Sequence, residues 1–572
     1  MPRRGAAEYL QDSSLRLVVD FFRDKGLQSL KQDDRDESWY QAWIDYQSKH
    51  GLYASVLSPR EYSSRGHHFN ILKLTRLVEA FAYFSPAHAY SLHVSFLGLF
   101  PILLSGNEPL KREAIAKLEG GGLFAFAVSE QAHGSDLFAN EFTVRPAGTA
   151  RWRADGSKYY IGNANAACII SILAKKGEAE VAANTRRAPF LFFAIRPSES
   201  PAFQNVRKIR TLGIRPAFVG QFEVKGHLFP ESDILSQGRS AWDAVHSTVN
   251  FGKFFLGFGA VGICEHAFAE AWAHLSGRVL YGKPVLEMPH LGATVAIAFA
   301  RLVAMKLYAY RALDYLQAAC DSDRRYLLFN AVQKARVSTE GVKMLGLLSE
   351  CIGARGVEAE TYFEMALRDA QLIPGLEGST HINFGLTAQF VDIYFAEPGQ
   401  EGSSPPSLML HETAAEENPY WMETRDRNAR TSRFAHFLRA YEHLQAIANV
   451  RLFTEQVRAF RRFVADSAGA LEPTADAGVA IALGKCLSTC AYAQLVAETC
   501  AAIAVAPALI SVIFHGLVED LSAEALKLSA MFSSDSAQRV LLEQVSRIPR
   551  TTAADLDWVS TFIATQYHDS PR

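Results

Sequence analysis

A glutamate that follows an apolar run is the first candidate for chemistry in this sequence. Glu377 comes directly after Leu372-Ile373-Pro374-Gly375-Leu376, and Gly378 follows it. An apolar, water-poor environment raises the pKa of a carboxylate and suits it to act as a general base. A glycine beside the acid allows the backbone to approach a ligand closely. On these residues alone, a solvated loop acid is the commoner interpretation, because most glutamates are exposed.

A second candidate region is a series of strands and turns between residues 123 and 175. An apolar run, Leu123–Val128, leads into the polar turn Ser129–Asp136, and the runs Arg151–Ile161 and Cys168–Leu173 follow. Such runs, bounded by Gly, Asn and Asp, predict β structure, whereas nearly everything before and after them predicts helix. A serine in a turn of this kind most often caps a backbone amide, and a ligand contact is the alternative.

The order and spacing of several motifs resemble the acyl-CoA dehydrogenase family. In the β region the matching segments are Val128-Ser129-Glu130, Gly134-Ser135-Asp136 and Gly156-Ser157-Lys158-Tyr159-Tyr160-Ile161. Further along they are Arg278-Val279-Leu280-Tyr281-Gly282, Ile352-Gly353-Ala354-Arg355-Gly356, and Leu367-Arg368-Asp369 followed by Glu377-Gly378-Ser379. The resemblance covers residues 10–395.

This resemblance implies an FAD-dependent enzyme that dehydrogenates an acyl thioester between its α and β carbons. Glu377 would abstract the α proton, and the flavin would take the β hydride, because no protein side chain accepts hydride. The substrate would be an acyl-CoA or an acyl group on a carrier protein. Electrons would pass to an electron-transfer flavoprotein, or to oxygen if the protein is an acyl-CoA oxidase. The family also implies a homodimer or a homotetramer.

The resemblance further assigns residues to the cofactor and to the substrate. Cofactor contacts would come from Phe126, Val128, Ser129, Gly134, Ser135, Tyr160, Ile161, Gly162, Arg278, Tyr281, Gly353, Gly356, Ser379 and His381. Substrate contacts would come from Ser135, Asn250, Lys253, Leu376 and Gly378. A guanidinium such as that of Arg278 suits a diphosphate, although a solvated helix arginine is the alternative. Tyr160 alternatively packs in the sheet core, and the two glycines alternatively end a helix.

The sequence departs from the family pattern at several of these positions. Gly162 stands where the family has threonine or serine, so one hydroxyl that the family directs at the flavin is missing. Asn250 and Lys253 stand where many members carry an aspartate and an arginine for the substrate. These departures point away from an ordinary fatty acyl-CoA substrate. They also fit a third alternative, a non-catalytic helical binding protein that kept the fold.

Composition narrows the class of protein further. A formal net charge of −2 over 572 residues argues against a nucleic-acid partner. The seven cysteines show no pairing pattern, and no apolar segment precedes Glu8, so we expect a cytoplasmic protein without a secretory signal. The histidine pairs at 67–68 and at 88 and 93 have no carboxylate or cysteine beside them at ligand spacing, so we expect no metal.

The order of these elements predicts a mainly α protein with a central β domain. We expect an N-terminal helical domain (1–120), a β-barrel-like middle domain (121–238) and a helical bundle that carries Glu377 (239–395). A polar segment rich in Gly, Ser and Pro (396–419) predicts a linker. An additional helical domain (420–572) lies beyond the resemblance, and some family members and acyl-CoA oxidases carry such a domain.

Overall fold

The computed structural model describes residues 12–177, 189–396, 404–408, 416–422, 433–467, 476–533 and 536–567. These residues form two compact units. The first contains residues 12–255 and 416–422, and the second contains the described residues from 256 to 408 and from 433 onward. Most of the predicted linker lies outside the described residues. The five-domain division therefore stays a prediction.

Helices form the N-terminal half of the first unit. They are α1 (Ser13–Lys25), α2 (Leu27–Asp36), α3 (Gln41–His50), α4 (Ala54–Leu57), α5 (Ile71–Phe84), α6 (Pro86–Leu103) and α7 (Glu108–Glu119). The sequence predicts a cap for α1 at Ser13 or Ser14, and this is wrong. The carboxylate of Asp12 accepts from the amides of Ser14 and Leu15 at 2.7 and 3.2 Å and caps the helix instead.

A single mixed sheet forms the second half of the first unit. Its strands are β1 (Leu123–Ala127), β2 (Thr143–Pro146), β3 (Arg151–Gly162), β4 (Ala167–Lys176), β5 (Phe190–Ile195), β6 (Phe203–Lys208), β7 (Val219–Pro230) and β8 (Ile234–Gln237). The strand order is β6-β7-β3-β2-β4-β5-β8, and β1 pairs with β4 in parallel. Alternate residues of these strands, such as Val144, Ile172, Phe193 and Phe222, fill a core without solvent exposure. The expected β domain is present.

Helix α6 lies directly against this sheet. A Cβ on Gly98 would come within 2.6 Å of the backbone of Ala125 in β1, so only glycine allows this approach. The hydroxyl of Ser171 in β4 donates to the Gly98 carbonyl at 2.7 Å. The position of α6 is therefore fixed against both β1 and β4.

Helices build the second unit. They are α8 (Arg239–Ser276, which begins in the first unit), α9 (Pro289–Gln317), α10 (Tyr326–Val332), α11 (Ser338–Ile352), α12 (Tyr362–Leu372), α13 (Thr380–Ala388), α14 (Val391–Tyr394), α15 (Ala448–Asp466), α16 (Ala477–Ala502), α17 (Pro507–Ser529), α18 (Ala537–Glu543) and α19 (Ala553–Tyr567). A short hairpin, β9 (Val279–Leu280) and β10 (Lys283–Pro284), separates α8 from α9. A π-helical segment, Gln333–Val337, joins α10 to α11.

Three of these helices, α8, α9 and α16, are long and apolar enough to cross a membrane by length and composition alone. In the described structure, 78%, 67% and 83% of their most apolar stretches are buried inside the protein. Buried packing explains their composition. The helix α16 even approaches α13 so closely that a Cβ on Gly484 would lie 1.9 Å from the Phe384 carbonyl oxygen.

A buried charge cluster joins the family-like bundle to the C-terminal helices. Arg301 on α9 donates to Glu340 on α11 at 2.5 Å and to Asp520 on α17 at 2.9 Å. Arg336, in the π-helical segment, donates to Asp520 and, at 2.8 Å, to Glu524. Burial raises the pKa of Asp520, but Arg336 and Arg301 lower it more, so its pKa lies well below the usual value. The ionisation of Asp520 therefore depends on the two arginines beside it.

We expect Arg336→Met to destabilise the second unit by about 3–5 kcal/mol, because it removes the arginine partner of the buried Glu524 carboxylate and one of the cations that bind Asp520. Urea denaturation followed by circular dichroism measures the loss. The matched control is Arg458→Met on the exposed face of α15, which we expect to change stability by at most about 0.5 kcal/mol. Equal effects of the two substitutions would contradict the role given to the cluster.

Candidate functional site

The turn after β1 is fixed by an ion pair between Glu130 and the completely buried Lys158. The Nζ of Lys158 on β3 donates to the Val128 carbonyl at 3.0 Å and to the Glu130 carboxylate at 2.9 Å. The backbone N–H of Tyr159 donates to the Ser129 carbonyl at 3.0 Å. Ser129, between the two residues that bind Lys158, is therefore held beside β3.

Burial and pairing act in opposite directions on this ion pair. Burial lowers the pKa of Lys158 to about 8, although Glu130 opposes the shift. Burial raises the pKa of Glu130, but Lys158 and the backbone amides of Glu141 and Phe142 lower it more, so it lies below the usual value. The carboxylate of Glu130 is therefore ionised at neutral pH, and it satisfies the ammonium that the sheet encloses.

A β-bulge near the end of β3 turns Tyr160 out of the sheet. Tyr159 pairs with Gln221 and Ile161 pairs with Gly220, so Tyr160 has no opposite residue on β7. Its backbone is left-handed, with φ at 64°, and its side chain is 58% exposed. A bulge re-aims a side chain in this way. The alternative that Tyr160 packs in the sheet core is therefore wrong, and its ring is available to a ligand.

The polar turn beyond Ser129 is more exposed. Gly134 and Ser135 lie on the surface, and the amides of His133 and Gly134 bond back to the Glu130 carbonyl at 3.3 Å. One ligand atom each from Glu130, His133 and Glu141 lies within 4.8 Å of the others. Because Glu130 already binds Lys158 and two backbone amides, it is not available to a metal ion in this geometry.

In the second unit, Glu377 lies in a loop that is held from both sides. The buried Lys334 of the π-helical segment donates from Nζ to the Pro374 carbonyl at 2.9 Å. The amide of Asn383 on α13 donates to the carbonyls of the two residues after Glu377, each at 3.0 Å. The backbone of Glu377 is left-handed, with φ at 50°. Non-glycine residues take this conformation rarely, and it concentrates at functional sites.

A positively charged region lies at the base of the β9–β10 hairpin. Arg278 Nη1 lies 2.9 Å from Nε2 of His274. Burial lowers the pKa of His274 most, and Arg278 and Arg355 lower it further. Arg355 is paired with Glu358, and the charge of Glu358 raises the pKa of His274 and so opposes the two arginines. Tyr281 at the hairpin tip is left-handed and 96% exposed.

The two candidate glycines differ in their surroundings. Gly353 ends α11 with φ at 63° and has open space where a Cβ would be. A Cβ on Gly356 would lie 2.7 Å from the side chain of Ile352 and 3.1 Å from Phe363, so internal packing explains this glycine. On α8, Asn250 is half-buried and Lys253 is buried, and their spacing of three places them on one face of the helix.

The candidate residues divide between the two units. The first unit holds Phe126, Val128, Ser129, Gly134, Ser135, Tyr160, Ile161, Gly162, Asn250 and Lys253, and the second holds Arg278, Tyr281, Gly353, Gly356, Leu376, Glu377, Gly378, Ser379 and His381. Sequence reasoning missed the positioning roles of Lys158, Lys334 and Asn383. No local pattern marks the two lysines, because Lys158 follows Ser157 and Lys334 follows Gln333.

Comparison with known proteins identifies relatives of this chain. Residues 240–391 match the family model described as acyl-CoA dehydrogenase, C-terminal domain. A cyclohex-1-ene-1-carbonyl-CoA dehydrogenase from Geobacter metallireducens is 24% identical over 351 residues, which are 60% of this chain and 88% of that protein.

Two solved structures extend the comparison. An acyl-CoA dehydrogenase complexed with FAD, from Bacillus anthracis, superposes with a TM-score of 0.75 at 16% identity. The match covers 99% of this chain and 95% of the Bacillus anthracis chain. The prolyl acyl carrier protein oxidase AnaB covers 68% of this chain and 98% of its own, with a TM-score of 0.57 and 19% identity. The first of these shares the fold of the C-terminal helices as well.

We expect the Glu130–Lys158 pair to make stability depend on pH. The pKa of Glu130 is lower in the folded chain than its usual 4.5, so its contribution is present above that value and is lost as the pH falls through the folded pKa. The unfolding free energies of the wild type and Glu130→Gln should therefore differ most at pH 7 and converge on acidification. Urea denaturation at a series of pH values measures this.

The matched control for this prediction is Glu199→Gln, which alters an exposed carboxylate of the same unit. It should leave stability within about 0.5 kcal/mol of the wild type at every pH. A constant gap between wild type and Glu130→Gln from pH 7 downward would show that ionisation of Glu130 does not stabilise the fold.

Proposed function

Because the chain belongs to the acyl-CoA dehydrogenase family, we propose that it is an FAD-dependent oxidoreductase that dehydrogenates an acyl thioester. The observation that carries the proposal is the fixed backbone position of Glu377. Its backbone is left-handed, and Lys334 and Asn383 hold its loop by donating hydrogen bonds to the loop's backbone carbonyls. A general base needs this kind of fixed position, because the proton it takes must be within hydrogen-bond reach.

The residues present fit a flavin dinucleotide in both units. In the first, the backbone after β1 offers polar contacts beside β3, and the exposed ring of Tyr160 offers an aromatic contact. In the second, the guanidinium group of Arg278, 2.9 Å from His274, offers the positive charge that a diphosphate needs. When bound, the flavin supplies the hydride acceptor that the chain itself lacks.

The chain's own residues account for the remaining chemistry. Glu377 takes the α proton, and the backbone N–H of the same residue donates to the thioester carbonyl, so that negative charge on that oxygen is stabilised. Leu376 and Gly378 border the substrate, and Asn250 and Lys253 contact its polar part. Lys253 stands where many family members carry an arginine for the substrate, which favours a polar or carrier-bound acyl group.

The acyl carrier and the electron acceptor belong to the same proposal. We favour a CoA thioester with an electron-transfer flavoprotein as acceptor, in a cytoplasmic homodimer or homotetramer. The likeness to the prolyl acyl carrier protein oxidase AnaB supports a second candidate: a carrier-bound acyl group with oxygen as acceptor. Air oxidation of the reduced flavin within seconds would favour the second candidate.

We expect Glu377→Gln to bind FAD as the wild type does and to slow its reduction about 10²- to 10⁴-fold, because the α proton has no acceptor. Anaerobic stopped-flow absorbance, with a panel of CoA and carrier-bound acyl thioesters, measures the bleaching of the flavin. Glu543→Gln, on the exposed face of α18, is the matched control and should bleach normally. Unchanged bleaching in Glu377→Gln would assign the proton transfer to another residue.

We expect Arg278→Met to weaken FAD binding about tenfold to a hundredfold, the effect of losing one charge-assisted hydrogen bond. Fluorescence titration of the apoprotein with FAD measures the dissociation constant. Arg539→Met removes a partly exposed guanidinium from α18 and should not alter it. If both variants bind FAD as tightly as the wild type, Arg278 is a solvated helix-end arginine.

A further inference from the structure

The end of β3 has no room for a side chain at residue 162, because a tyrosine of α6 occupies that space. A Cβ on Gly162 would lie 2.8 Å from Cε1 and 2.8 Å from the hydroxyl oxygen of Tyr90, and 2.7 Å from Cγ2 of Val94. These separations are well inside van der Waals contact. Packing against α6, and not a special backbone conformation, therefore requires glycine at this position.

The contact between Tyr90 and Gly162 is held by the next residue on each element. The side-chain amide of Asn163 donates to the Ser91 carbonyl on α6 at 3.0 Å and to the Phe124 carbonyl on β1 at 3.2 Å. The hydroxyl of Ser91 is itself 2.5 Å from that of Tyr53. Helix α6, strand β1 and the end of β3 thus meet at one buried amide, which fixes Tyr90 in place.

We propose that Tyr90 gives the flavin the hydroxyl contact that residue 162 cannot give. This inference rests on the proposed function. A serine or threonine oxygen at position 162 would be one bond from its Cβ, and the Tyr90 oxygen is 2.8 Å from that same Cβ position. A phenol donates one hydrogen bond and accepts others, as an aliphatic hydroxyl does. The loss of a hydroxyl on the strand is thus compensated from the helix.

Tyr90 differs in exposure from the tyrosines around it. The neighbouring Tyr40 and Tyr53 are almost fully buried within the helical part of the unit, whereas Tyr90 is only half-buried. Its hydroxyl lies at the end of the strand that carries Tyr160, the ring that the bulge turns outward.

The test compares the full-length wild type with Tyr90→Phe, which removes only the hydroxyl. We expect the dissociation constant for FAD to rise about threefold to tenfold, the effect of one net hydrogen bond, and the visible absorption bands of the bound flavin to shift. The stability of the apoprotein should not change. The matched control is Tyr46→Phe, which removes a half-buried hydroxyl that donates to the Leu17 carbonyl on α1.

The outcomes separate the inference from the proposed function. If Tyr90→Phe keeps the FAD affinity and the flavin spectrum of Tyr46→Phe, Tyr90 is a packing residue and the inference is wrong. If the wild type binds FAD and is reduced by an acyl thioester, that result leaves the proposed function intact. A wild-type protein that binds no FAD would overturn both.

Discussion

The buried ammonium of Lys158 sets the geometry of the first unit's part of the site. Removing such an ion from water costs several kcal/mol unless oxygen atoms replace the solvent. Here the oxygens come from Val128 and Glu130, the residues on either side of Ser129. If the turn after β1 moved away from β3, the Lys158 ammonium would lose these oxygen partners. The turn is therefore held beside β3. Ser129 and the bulge at Tyr160 are held in one arrangement by this requirement.

The same principle operates in the second unit through the π-helical segment. Lys334 is buried and reaches the carbonyl of Pro374 in the loop that carries Glu377. Arg336, two residues further on, is also buried, but its guanidinium binds Asp520 and Glu524 on α17. One short segment thus positions the candidate base and also secures the C-terminal helices. π-helical turns are frequent at functional positions, and this one has two such duties.

The sequence predicted the elements better than it predicted their contacts. The apolar run Phe190–Ile195 predicts a strand, and apolar periodicity predicts helices over 242–275 and 323–348. Strand β5 lies at Phe190–Ile195, and the first of these helices is α8, which begins a few residues earlier. These elements have strong apolar periodicity. Helix α2 was not predicted, because its sequence is mostly polar and its apolar face is narrow. The helix expected over 323–348 contains the π-helical segment, since periodicity does not reveal one extra residue in a turn.

The same difference between elements and contacts applies to the candidate site. The choice of Ser129, Tyr160 and Glu377 as site residues comes from motifs that resemble those of the family, and it stays a prediction. The left-handed backbone of Glu377 and the position of Tyr90 against Gly162 depend on residues distant in sequence, so no local pattern encodes them.

The charge cluster also makes the family-like bundle depend on the C-terminal helices. Arg301 and Arg336 belong to the bundle, but most of the carboxylates that neutralise them belong to α17. Without α17, the two guanidinium groups would together lose Asp520 and Glu524 and would keep Glu340 as their carboxylate partner. The C-terminal helices are therefore an electrostatic part of the bundle and not a separate module.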